Sequence, residues 1–65
     1  MNVFINGEKK ELHLENVAEV VEHFDLDENL VVTEVDGNII NVEQRRDTKL
    51  YEDMKIEIVQ FVGGG

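Results

Sequence analysis

Ile56-Glu57-Ile58-Val59-Gln60-Phe61-Val62-Gly63-Gly64-Gly65 closes the chain. Ile56 and Ile58 alternate with Glu57, Val59 and Phe61, the period-2 pattern of a strand with one buried face, and the strand Lys55 to Val62 runs into glycine with no polar spacer between. Three successive glycines neither extend a strand favourably nor offer side-chain chemistry. What they leave is the carboxylate of Gly65 on a thin arm, in which the absence of Cβ at Gly63 and Gly64 lets the backbone enter a narrow channel. The chain is therefore expected to divide into a folded part, residues 1–62, and a flexible glycine tail, residues 63–65.

Working back from this strand, Val35-Asp36-Gly37-Asn38-Ile39-Ile40 places Asp-Gly between two β-rich runs, Leu30 to Val35 and Asn38 to Val42, and predicts a hairpin. Asn6-Gly7 does the same between Asn2-Val3-Phe4-Ile5 and a run from Glu8 to Leu14. Between the hairpins Val17, Val20, Val21 and Phe24 recur at i, i+3, i+4 and i+7 behind Asn16, which suits an N-cap, so a helix of two to three turns is predicted. Asp25 to Asn29 reads as an acidic loop. Glu43 to Lys49, charged and containing Arg45 and Arg46, reads as a solvent-exposed crossing loop or short turn.

The order strand, strand, helix, strand, strand, strand is an α+β pattern, a mixed sheet of four to five strands packed on one helix. Val20 and Phe24 are expected to pack on Ile5, Val35, Ile56 and Ile58. One helix covers one sheet face, so with Val31, Thr33 and Val35 turned inward, Val32, Val59 and Phe61 form an apolar patch on the other face, near Val62 and the tail.

Composition narrows the function. With 65 residues the chain makes one domain, and at this size only about 60% of the unfolded surface is buried. Having no Cys, it has no disulfide, no Cys-ligated metal and no thiol nucleophile. The 15 acidic against 6 basic residues, a net charge of -9, would repel nucleic acid and anionic membranes and suit a basic protein partner. No apolar stretch approaches membrane-spanning length and Met1-Asn2-Val3 lacks the charged and apolar regions of a signal peptide, so a cytoplasmic protein is expected. His13 and His23 lack ligand-like spacing and read as surface residues. Asp25, Asp27 and Glu28 lack the glycine and spacing of a calcium loop, and Arg45 with Arg46 is too small a basic cluster for a nucleic-acid site.

Three stretches, Phe4-Ile5-Asn6-Gly7-Glu8, Val35 to Ile40 and Ile56 to Gly65, together resemble ThiS, the sulfur-carrier family of thiamine biosynthesis within the ubiquitin-like β-grasp proteins. The resemblance spans the whole chain, and the terminal glycines are its most specific part. It departs at Asp53-Met54, where the family usually has Gly-Asp, at Asp36, where Asn is usual, and in the loop Val42 to Thr48.

The resemblance implies a β-grasp fold and a carrier that is itself not an enzyme. A ubiquitin-activating-type adenylyltransferase would use ATP and Mg to adenylate the Gly65 carboxylate, and a sulfur-donating persulfide enzyme would convert the acyl-adenylate to a thiocarboxylate for thiazole synthase. No cofactor would be bound by the carrier itself, and Val32, Val59, Phe61 and Val62 would meet the partner. The alternatives are the small subunit of molybdopterin synthase, which usually carries a proline absent from this chain, a ubiquitin-like protein modifier and a plain interaction domain.

Overall fold

A computed structural model describes residues 1–61. Strands β1 (Asn2–Ile5) and β2 (Glu8–Glu11) form the first hairpin, and helix α1 (Val17–His23) follows. Strands β3 (Val31–Val35) and β4 (Asn38–Ile40) form the second hairpin, and a short helix α2 (Val42–Arg45) leads to the last strand, β5 (Met54–Gln60). The sheet order is β2-β1-β5-β3-β4. β5 lies at its centre, parallel to β1 and antiparallel to β3. This is the expected mixed α+β sheet of the β-grasp kind.

Both hairpins turn as their dipeptides require. Asn6 and Gly7 have φ of 51° and 84°, Asp36 and Gly37 have 50° and 86°, and positive φ at both central residues matches the turn to the twist of the flanking strands. Asp53, where the resembled family usually has glycine, also has positive φ, 65°, and Asp is among the side chains that tolerate it.

The helix begins and ends for local reasons. Asn16 Oδ1 accepts the Glu19 N–H at 2.9 Å, satisfying one of the free donors of the first turn. At the other end Asp25 enters the left-handed region with φ 56°, so that its N–H reaches Glu22 C=O at 3.0 Å and the Leu26 N–H reaches Val21 C=O at 3.1 Å. This pair of bonds is the motif in which one left-handed residue ends a helix by recapturing its last carbonyls.

Val17, Val20 and Val21 of α1 are buried against Val3, Ile5, Val31, Val35, Met54, Ile56 and Ile58 of the sheet, with Leu12 and Leu50 closing the ends. Of the expected core, Val20, Ile5, Val35, Ile56 and Ile58 are in place, but Phe24 is only half-buried. Phe24 caps the helix C-terminus, so the chain bends away at Asp25 before the ring can enter the layer between helix and sheet. It packs on the rim of the core, edge-to-face with His23 at 5.0 Å between centroids.

Other expectations need correcting too. β2 stops at Glu11 rather than Leu14: Leu12 is buried beyond the strand with its N–H bonded to Met1 C=O. The strand expected to run from Asn38 to Val42 stops at Ile40, and Val42 starts α2, which extends into the segment read as an exposed loop or short turn; Gln44 Oε1 accepts the Asn41 N–H at 3.0 Å and Arg45 is only 3% exposed. No helix among the described residues is long and apolar enough to cross a membrane.

Candidate functional site

Gly63, Gly64 and Gly65, with Val62, lie outside the described residues, so the site is described up to Phe61, where the tail takes root. β5 delivers that root from the middle of the sheet. On one side β3 holds it through the register Val31 to Gln60, and one step further the Phe61 N–H donates to Leu30 C=O at 2.7 Å. On the other side β1 pairs as far as Ile5 with Ile56, after which the Asn6 side chain takes over: its Oδ1 accepts the Ile58 N–H at 2.8 Å and its Nδ2 donates to Ile58 C=O at 3.1 Å.

Strand alternation separates the two faces as the sequence indicates. Met54, Ile56 and Ile58 point into the core, while Val59 and Phe61 are 52% and 58% exposed. Val32, half-buried, stands directly opposite Val59 on β3, a cross-strand pair of the kind that contributes about 0.2–1 kcal/mol. Leu30, opposite Phe61, is exposed as well. The outer face thus carries a patch of Leu30, Val32, Val59 and Phe61 at the root of the tail. α2 does not cover it: Arg45 bonds to inward-facing Thr33 and Arg46 to Glu22 of α1, so α2 lies on the helical side of the sheet.

Acidic groups border the patch. Glu34 and Glu57 face each other across β3 and β5 on the outer surface, with Lys55 two residues before Glu57. The Tyr51 hydroxyl donates to the Asp36 carboxylate, which holds the phenol protonated above its ordinary range and ties the β3–β4 turn to the segment before β5. Asn2 donates its backbone N–H and its side-chain amide to Glu52, both at 3.1 Å, and these bonds hold that carboxylate below its usual range. His13 and His23 are exposed, and no group of three or more His, Asp or Glu among the described residues could hold a metal ion.

Sequence reasoning missed two residues. Arg45, read as part of an exposed basic pair, is buried, with its guanidinium donating to Glu28 C=O at 2.9 Å, Val31 C=O at 2.7 Å and Thr33 Oγ1 at 3.1 Å. Its neighbour Arg46 stays at the surface in an ion pair with Glu22. The available signal was Asn41 followed three residues later by Gln44, a helix-start signature that would have put Arg45 on a helix. Asn6 was read only as a turn residue, and nothing in the sequence points to its grip on Ile58.

Comparison with known proteins agrees with this geometry. The model of the ThiS family matches residues 3–65. The crystal structure of a thiamine biosynthesis protein, ThiS, from Geobacter metallireducens superposes with a TM-score of 0.81 at 26% identity, covering 100% of both chains. The NMR solution structure of a thiamine biosynthesis protein from the same organism gives 0.82 at 25% identity, over 100% of this chain and 88% of the other. No curated protein matches.

Proposed function

Because the chain belongs to the ThiS family, we propose that it is a sulfur carrier of thiamine biosynthesis, whose Gly65 carboxylate is activated by a partner enzyme and converted to a thiocarboxylate. The observation that carries this reading is that the family match runs through Gly63 and Gly64 to Gly65, directly beyond a strand anchored in the centre of the sheet.

A carboxylate is a poor electrophile, so a sulfur nucleophile needs it converted first to a mixed anhydride with a good leaving group. A carboxylate oxygen of Gly65 attacks the α-phosphorus of ATP, with Mg held by the activating partner, and pyrophosphate leaves. The terminal sulfur of a partner's persulfide then attacks the acyl carbon and AMP leaves. A second thiol then attacks the partner-side sulfur of the acyl disulfide, forming a disulfide with it and releasing the thiocarboxylate, which thiazole synthase consumes. The carrier contributes position: docking brings the carboxylate to the nucleotide in a geometry that a free peptide finds rarely.

Incubating the full chain with Mg-ATP, the activating enzyme and a persulfide donor tests the reading. Pyrophosphate release that depends on the chain is expected, with a mass gain corresponding to one oxygen replaced by sulfur. Stable adducts on other proteins' lysines would instead identify a protein modifier.

The apolar patch supports docking of the activating enzyme, with the acidic rim steering a basic surface. Phe61, more than half exposed, is its anchor. Replacing Phe61 with Ala is expected to weaken binding to the activating enzyme by more than ~1 kcal/mol, measured by calorimetry, and to change folding stability by less. A stability loss of the ~3 kcal/mol typical of a core Phe would show that the ring is buried.

A further inference from the structure

Asn6 does more than a turn requires. The second hairpin turns in the same way with Asp36, whose side chain takes the Tyr51 hydroxyl and leaves β5 alone, so an amide on the sheet is not needed for the turn itself. At Asn6 the backbone N–H donates to Ile56 C=O at 2.9 Å, and the side-chain amide meets both the N–H and the C=O of Ile58. A primary amide offers a donor and an acceptor much as a peptide group does. The side chain therefore adds one rung to the parallel β1–β5 ladder after the β1 backbone has turned away.

Among the described residues this rung is the last hold on that side. Beyond Ile58 the described residues are paired on the β3 side alone, by the Val32–Val59 and Val31–Gln60 register and the Leu30–Phe61 bond. A second hydrogen-bonded edge restrains the twist of a strand more than one edge does, so the clamp at Ile58 narrows the directions in which β5 leaves the sheet.

We propose that Asn6 is a positioning residue for activation of Gly65: its amide fixes the direction in which β5 hands over to the tail, so that the docked domain presents the carboxylate in line with the nucleotide. This role rests on the carrier reading. It acts through Ile58 and touches no reacting atom.

Asn6→Gly keeps the left-handed turn and deletes the clamp. Asn6→Asp keeps the turn and the acceptor for the Ile58 N–H but sets an oxygen against Ile58 C=O. Both are compared with Val21→Ala, which weakens the core from α1, in pyrophosphate release by the activating enzyme at a temperature where circular dichroism shows every variant folded. Asn6→Gly is expected to lower kcat by about 10- to 100-fold with KM within about 2-fold, because docking survives and alignment is lost. Asn6→Asp is expected to fall between Asn6→Gly and the parent, Val21→Ala to keep the parent kcat, and the Val59 and Phe61 amides to exchange faster in Asn6→Gly. Parental kcat in Asn6→Gly, or an equal fall in Val21→Ala, overturns the role of Asn6 while the carrier reading stands. An inert parent overturns the carrier reading and this role with it.

Discussion

Arg45→Ala is expected to remove most of the stability of the fold at 25 °C. The guanidinium is almost wholly buried and has no carboxylate partner among the described residues. Its charge is spread over the carbonyls of Glu28 and Val31 and the Thr33 hydroxyl, which in turn donates to Ile40 C=O at 2.9 Å. One side chain thereby ties α2 to the loop before β3, to the start of β3 and, through Thr33, to β4.

Removing it leaves buried acceptors unpaired at about 1–3 kcal/mol each and opens a cavity, for a total of about 3–5 kcal/mol. A domain of this size has a stability of roughly 5 kcal/mol, so little remains. Lysine is a poor substitute, because one ammonium cannot match a planar fork aimed at three separate acceptors. The net charge of -9 offsets part of the cost of burying a lone cation. Urea titration followed by circular dichroism measures the effect, and a midpoint for Arg45→Ala close to that of the parent chain would show the network to be incidental.

The sequence disclosed those parts of the fold that rest on local chemistry. Asn6-Gly7 and Asp36-Gly37 mark hairpins because few other dipeptides adopt two left-handed conformations in succession, and the Val17, Val20, Val21 stripe marks a helix because its spacing matches the helical turn. The outward direction of Val59 and Phe61 followed from alternation along β5 and holds in the structure. Arg45 was hidden because burial of a cation depends on carbonyls 14 and 17 residues away, which no local pattern encodes. Asn6 was hidden because its partner lies 52 residues away, and Phe24 was misjudged because helical spacing says nothing about where the helix stops relative to the sheet.

Deleting Gly64 and Gly65 is expected to separate fold from function completely. The buried core runs from Val3 to Ile58, and the last backbone bond of the described sheet is from Phe61 to Leu30, so the thermal midpoint should not move. The patch at Val32, Val59 and Phe61 is untouched, so the shortened chain should still bind the activating enzyme. Its carboxylate, however, would end about 7 Å short, at roughly 3.3–3.6 Å for each missing residue. Reacting atoms must approach to about 3–3.5 Å, so a shortfall of this size removes the attacking oxygen from the nucleotide altogether, and chain-dependent pyrophosphate release should fall by at least ~100-fold. Because docking persists, the truncated chain should also inhibit adenylation of the full chain competitively, a behaviour that an unfolded or non-binding variant would not show. A truncated chain adenylated at the parental rate would mean that the reactive group is not the Gly65 carboxylate, and the carrier reading would fall with it.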